Sequence, residues 1–181
     1  VETRSQDSLG QPQPQLPGPR PGGRVVAVGI DTTGVEEVRH ALERHADRYL
    51  RFVLSERERA ELAETDELAG ATPTARAAPT TEAADATELA RRWAAKEAVT
   101  KVLAPGPGDP WPWSDVEVLL PSGRPAEVRL QGRARELARQ RGVSEIQVGT
   151  GPTTAGTVTA TAVGLAITPV PIHRTTRKQD P

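Results

Sequence analysis

The chain contains no cysteine. That excludes disulfides, thiol chemistry and cysteine-ligated zinc, and a reducing cytoplasm is the expected setting. No apolar run reaches the length of a membrane span, so no membrane role is expected. The first residues lack the apolar core of a secretory signal. Neither sign of charge dominates: 23 basic and 24 acidic side chains leave a formal net charge of −1. Bulk charge therefore gives no case for a nucleic-acid or membrane-surface partner. Aromatic residues make up only 3% of the chain. The core must rest on Val, Leu, Ile and Ala, supplemented by three tryptophans.

What is present fits one domain with tails in 181 residues. Residues 1–23 are rich in Gln, Pro and Gly without periodicity and read as a disordered tail. Arg24 to Asp31 is a short β-branched strand. Gly34 to about Leu50 is a helix with Val35, Val38, Leu42, Tyr49 and Leu50 toward the core. Ser55 and Glu58 make a capping-box pattern that opens a helix to about Ala63. Residues 64–84, rich in Ala, Thr and Pro, read as a flexible insertion. A long helix spans about Asp85 to Leu103, stopped by the Pro- and Gly-rich segment from Pro105 to Pro110. Val116 to Leu120 and Glu127 to Leu130 form a hairpin turned between Pro121 and Pro125. Arg133 to Arg141 is a short helix ended by Gly142. Ser144 to Val148 and Thr157 to Ile167 are the last strand pair. Gly149, Gly151, Pro152 and Gly156 suit the loop between them, and residues 169–181 read as a disordered polar tail. A strand, helices and then antiparallel strands give an α+β fold over residues 24–168.

The long helix carries the chemistry. Its segment Trp93-Ala94-Ala95-Lys96-Glu97-Ala98-Val99-Thr100-Lys101 has no Gly or Pro. Its apolar residues (Leu89, Trp93, Ala94, Ala98, Val99, Val102 and Leu103) surround the axis, as in a buried helix. Yet it holds Arg92, Lys96, Glu97 and Lys101. Glu97 and Lys101 share one face at i,i+4, and Arg92 and Lys96 share another. Charges on a buried helix need partners or a ligand, so this spacing fits either internal ion pairs or a binding site. The first strand ends Gly29-Ile30-Asp31, as a central strand does when its last carboxylate emerges at the sheet edge. A strand-end carboxylate and a helix carboxylate could together hold Mg²⁺, which takes its other oxygens from water and substrate phosphates. Lysines nearby would suit a phosphate-bearing ligand. The alternative for Asp31 is a helix N-cap, a role open equally to Thr32 or Thr33.

Gly29-Ile30-Asp31 taken with Trp93 to Lys101 resembles the two signature motifs of the 4′-phosphopantetheinyl transferases, closest to the small holo-acyl-carrier-protein synthase type. Further matches follow in the right order. They are Ala41-Leu42-Glu43-Arg44-His45 to Tyr49-Leu50, Ser55-Glu56-Arg57-Glu58, Trp113-Ser114-Asp115-Val116-Glu117-Val118, the Pro121 to Pro125 turn, and Gln131-Gly132-Arg133-Ala134. The likeness covers most of residues 25–168. It implies a buried central helix on a mainly antiparallel sheet, and a homotrimer with the active site between neighbours. It implies transfer of the phosphopantetheine arm of coenzyme A to a serine of an acyl or peptidyl carrier protein. On this resemblance Asp31 and Glu97 hold Mg²⁺, and Lys101 touches the phosphate under attack or the leaving group. Arg92 and Lys96 bind other coenzyme A phosphates. Glu97, or a water on the ion, takes the serine proton.

Carrier proteins are acidic, and Arg44, Arg48 and Arg51 form one stripe on the first helix. Arg44 matches a position the family uses for docking; a plain solvated face is the alternative. Two departures from the family pattern stand out. Glu37, near Arg39, stands where relatives commonly have arginine, which bears on carrier identity. The family's histidine on the penultimate strand is missing, and Ile146-Gln147-Val148-Gly149-Thr150-Gly151 stands there. His40 and His45 lie in the first helix and His173 in the tail. Gln147 or Thr150 offers a phosphate a hydrogen bond but no charge, a loss on the order of a few kcal/mol. With the 64–84 insertion, these departures motivate a second reading: a relative that binds a carrier or coenzyme A without transferring the arm. A third is an adaptor in which Glu97 and Lys101 are only an ion pair.

Overall fold

The computed structural model describes residues 23–68, 86–109, 111–121, 124–151 and 156–167. Its elements are β1 (Gly23–Gly34), α1 (Val35–Val53), α2 (Glu56–Leu68) and α3 (Ala86–Leu103), then a 3-10 turn at Trp113–Asp115. β2 (Val116–Leu119), β3 (Glu127–Leu130), α4 (Gly132–Gln140), β4 (Glu145–Thr150) and β5 (Thr157–Ile167) follow. β1, β5 and β4 form a three-stranded sheet with β5 in the middle, and β2 and β3 pair separately. Every pairing is antiparallel, as the α+β reading expects.

α3 lies against the three-stranded sheet and also touches α1, β2 and α4. That surround explains its apolar residues on all sides: Leu89, Ala94, Ala95, Ala98, Val99, Val102 and Leu103 are fully buried. Each buried Leu or Val contributes about 1.5–3 kcal/mol. The helix approaches the sheet closely where the sheet has no side chain. A Cβ on Gly29 would sit 2.0 Å from the Ala98 carbonyl oxygen, and one on Gly164 would sit 2.7 Å from Val102 Cγ1. Glycine is required at Gly29, where the neighbour is backbone, and Gly164 makes room for the Val102 side chain. Gly29 thereby sets the distance between β1, which carries Asp31, and α3, which carries Glu97 and Lys101.

β1 outruns its expected end. Thr32 and Thr33 continue the ladder opposite Thr159 and Val158, as β-branched residues favour. α1 begins only at Val35, with Gly34 as its N-cap and no side-chain cap. Asp31 is therefore not a helix cap. α1 also continues past Leu50 to Val53, where Val53 and Leu54 enter the core. α2 runs to Leu68, so residues 64–68 of the expected insertion are helical. Its remainder, 69–84, lies outside the described residues, as do residues 1–22 and 169–181 of the expected tails, while Gly23 is the first residue of β1. β4 extends to Thr150, which puts Gly149 in the strand rather than the loop. α4 ends as expected: Gly142 has φ of 68°, and the Val143 N–H reaches the Ala138 carbonyl at 2.8 Å. At its other end, Asp115 accepts the Arg133 N–H at 2.7 Å and satisfies an orphan donor of the first turn.

Candidate active site

β1 and α3 bring Asp31, Glu97 and Lys101 to one place. Lys101 Nζ donates to Asp31 Oδ1 at 2.9 Å and to the Ile30 carbonyl at 2.7 Å. The Thr33 hydroxyl donates to Asp31 Oδ2 at 3.1 Å. Glu97 sits one turn before Lys101, partly buried. Burial, then the charge of Asp31, push its carboxyl above the ordinary range, while Lys101 pulls the other way. Two carboxylates so coupled, with one ammonium at their edge, keep a site of uncompensated negative charge.

Among the described residues no group of three or more His, Asp or Glu could hold a metal. The donor set here is a pair. A pair is compatible with Mg²⁺, which is bound through one or two carboxylates, keeps several waters and takes further oxygens from phosphates. Carboxylate oxygens are hard donors and match a hard ion. On this chemistry the residues fit Mg²⁺.

Tyr49 of α1 stands close by. Burial, then the charge of Glu97, disfavour ionisation of its phenol. Its ring lies 6.4 Å from that of Trp93, which lies 4.6 Å from that of Trp113. Sequence periodicity placed Tyr49 only on the buried side of a helix. The available signal was its hydroxyl, which on a core-facing position needs a partner or an opening to solvent.

Arg92 and Lys96 are not where the resemblance implied. Both side chains are fully buried. Lys96 Nζ lies 2.8 Å from Glu58 and donates to the carbonyls of Val116 at 2.5 Å and Trp113 at 3.0 Å. Burial pulls its pKa down against the opposing pull of Glu58. Arg92 lies 2.7 Å from Glu61 and 3.3 Å from Glu88. Protein carboxylates occupy both cations, so within this chain neither meets a phosphate from solvent. Glu58 also accepts the Ser55 N–H at 2.7 Å and the Val118 N–H at 2.8 Å. The Ser55 hydroxyl accepts the Glu58 N–H at 3.2 Å, which completes the expected capping box. The internal ion-pair alternative holds for the Arg92 and Lys96 face of α3.

Of these neighbouring arginines the one that reaches the surface is Arg91, which no local pattern singles out. It donates to Glu88 at 2.6 Å and to Thr150 Oγ1 at 3.1 Å. Arg91, Arg124, Leu120, Pro125, Val148 and Thr150 line a cavity of about 200 Å³. Thr150, Ala160 and Asp31 occupy one row across the sheet. The cavity and the carboxylate pair thus flank the same end of the sheet, two strand spacings or about 10 Å apart. Gln147, by contrast, is turned to Glu145 at 2.9 Å.

The exposed surface of α1 divides along its length. Glu36 holds both Arg39 and His40, and Glu43 lies 3.6 Å from Arg39. Farther along, Arg44 and Arg48 are exposed, and Arg51 pairs with Asp47 at 3.2 Å. Phe52 is 64% exposed and lines a shallow apolar groove with His45, Arg48 and Tyr49.

Known proteins share this fold and these motifs. A family model described as the 4′-phosphopantetheinyl transferase superfamily matches residues 27–161. A holo-[acyl-carrier-protein] synthase of Nitrobacter hamburgensis is 35% identical over 114 residues, 62% of this chain and 73% of that protein. One of Moorella thermoacetica is 50% identical over 60 residues, 33% of this chain and 46% of that protein. The crystal structure of holo-ACP-synthase from Plasmodium yoelii has a TM-score of 0.61 at 21% identity, covering 81% of this chain and 99% of that one. Holo-[acyl-carrier-protein] synthase from Helicobacter pylori, in complex with coenzyme A, scores 0.56 at 17% identity over 76% and 99%. The chain belongs to the 4′-phosphopantetheinyl transferase superfamily. Its fold is that of the holo-acyl-carrier-protein synthases, and it is an enzyme of that transferase class. No helix among the described residues is long and apolar enough to cross a membrane.

Proposed function

We propose that this protein transfers the 4′-phosphopantetheine arm of coenzyme A to a serine of an acyl or peptidyl carrier protein, with Mg²⁺ held by Asp31 and Glu97. The observation that carries this reading is the convergence of Asp31, Glu97 and Lys101 at the rim of a buried helix, in a chain of this family. In the reaction the serine oxygen bonds to the β-phosphorus, the bridging P–O bond breaks, and 3′,5′-ADP leaves with the bridging oxygen. Mg²⁺ when bound supplies neutralisation of charge on the pyrophosphate. Lys101 sets an ammonium against the same phosphates. Glu97, through a carboxylate oxygen not engaged by the metal, would take the serine proton.

Arg91 and Arg124 suit the anionic nucleotide end of coenzyme A. They supply charge that Gln147 does not, while Pro125 and Val148 give the base an apolar wall. An acidic carrier docks on Arg44, Arg48 and Arg51, with Phe52 as an apolar anchor. Val25, Val28 and Ile30 stand 48%, 52% and 56% exposed on edge strand β1. A neighbouring copy would cover that strip in a homotrimer.

The test is to incubate the protein with apo-carriers, coenzyme A and Mg²⁺, then weigh the intact carriers by mass spectrometry. The expected result is a gain of one phosphopantetheine arm, absent with Asp31→Asn. No gain over a panel of acyl and peptidyl carriers, from a folded protein, would replace this reading with that of a binder that does not transfer.

A further inference from the structure

The two carboxylates of the site are unequally provided for. Both oxygens of Asp31 are engaged by the chain itself, Oδ1 by Lys101 and Oδ2 by Thr33. Glu97 draws no such donor from the described residues. Its influence from Lys101 is a field, not a bond. We propose that Lys101 is an exchangeable counter-ion: it neutralises Asp31 in the free protein and moves to the phosphates of coenzyme A, so that metal and coenzyme A bind cooperatively. This rests on the assignment of Asp31 and Glu97 as the metal's carboxylates.

A divalent cation held by both carboxylates needs an oxygen of Asp31. There it meets an ammonium 2.9 Å from Oδ1. Two cations a few ångström apart repel, and more strongly in a partly buried site than in water. Metal alone therefore binds against a tethered competitor. The competitor is not packed in place, since the Lys101 side chain is 50% exposed. Its charge sits on a flexible four-carbon stem with rotatable donors. Phosphates arriving beside the metal give the ammonium another anionic partner. Asp31 is released to the metal as the metal's remaining oxygens arrive. The coupling is reciprocal: metal tightens coenzyme A by the factor by which coenzyme A tightens metal.

Lys96 gives the contrast within one helix. It is also a lysine bonded to a carboxylate and to backbone carbonyls, yet it is fully buried. A phosphate cannot draw it away. Exposure, rather than the number of bonds, separates the lysine that exchanges from the lysine that stays.

The test is direct titration with Mn²⁺ followed by electron paramagnetic resonance, with and without coenzyme A. A protein-free titration corrects for Mn²⁺ bound to coenzyme A alone. In the wild type, coenzyme A should tighten Mn²⁺ binding by about 5–150-fold, the usual range of coupling between sites. Lys101→Met should bind Mn²⁺ alone more tightly than the wild type and show a smaller coupling, the remainder coming from direct contact between metal and phosphate. A thermal melt checks that this variant is folded. If Lys101→Met shifts Mn²⁺ affinity equally with and without coenzyme A, Lys101 is a fixed charge and the exchange is wrong. A wild type with no coupling overturns it as well. Asp31→Asn separates this inference from its premise: unchanged Mn²⁺ binding by that variant removes the metal assignment itself. Carrier modification, scored by mass, stands or falls on its own.

Discussion

On one face of α3, Arg92 and Lys96 are spaced a turn apart and end against Glu61, Glu88 and Glu58. On the neighbouring face, Glu97 and Lys101 have the same spacing and end against Asp31 at the rim of the sheet. The first pair is fully buried and matched by protein carboxylates. The second is partly exposed and has more negative charge than the chain neutralises. One helix thus separates scaffold from site by which face carries the charge. Buried charges that are matched fasten α2 and β2 to α3, and removing one partner strands the other. Charges left unmatched at a rim are where an ion and its anionic ligand can add something.

The comparison breaks most visibly at Lys96. Lys96→Met or Glu58→Gln leaves a buried partner without its counter-charge and should destabilise the fold by about 3–5 kcal/mol, read as a lower thermal midpoint. The double replacement by apolar residues should recover part of that loss. A Lys96→Met protein with an unchanged melt and lost coenzyme A binding would make Lys96 a ligand contact and undo the contrast between faces.

Glu97 and Asp31 should behave the opposite way. Residues that merely orient metal ligands are worth about 10–100-fold in affinity, so Asp31→Asn or Glu97→Gln should lose at least about 100-fold in Mn²⁺ affinity while staying folded. Glu97 adds a pH signature. Its folded carboxyl holds its proton more tightly than the unfolded one. The stability it contributes is fully present below the ordinary carboxylate range and is lost as pH rises through the raised folded value. Glu97→Gln should therefore melt slightly higher than the wild type at neutral pH. Since a metal must displace that proton, metal affinity at low metal concentration should fall as pH drops through Glu97's raised value, above the usual carboxylate range. An acid limb at the ordinary position would remove Glu97 from the site.

Gly29 joins the two halves of the site. Gly29→Ala puts a methyl against the Ala98 carbonyl. Such overpacking should lower stability by about 1–3 kcal/mol and displace Asp31, so the melt and Mn²⁺ affinity should fall together. The smallest effect belongs to α1. Glu37→Arg adds an exposed positive charge beside the Arg39 cluster, worth about 0.2–1 kcal/mol. It should lower KM for an acidic carrier with kcat unchanged. A KM unaffected by this change would confine docking to the Arg44 end of α1.

Much of this arrangement was legible from the residues. Apolar positions all round α3 announced a buried helix, Ser55 and Glu58 announced a cap, and Gly142 marked the end of α4. Gly29-Ile30-Asp31 and Glu97 with Lys101 were named, and the fold brings them together. What local pattern left hidden were long-range partners. The i,i+4 spacing is the same on both charged faces of α3, and it cannot tell which face meets the acids of α2. Glu58 and Glu61 lie far upstream and read locally as cap and surface residues. The same gap hid Arg91. It neighbours Arg92 in sequence but reaches Thr150 on β4, a contact that exists only once the sheet is assembled. The end of β1 is hidden for a different reason. Thr32 and Thr33 look like cap residues, and only pairing with β5 makes them strand.

The most direct test is anomalous diffraction from crystals grown with Mn²⁺ and coenzyme A. The account predicts a single Mn²⁺ peak bound by oxygens of both Asp31 and Glu97, with Lys101 turned to the phosphates and Lys96 still on Glu58. A Mn²⁺ peak that touches only one of those carboxylates, or neither, would contradict it.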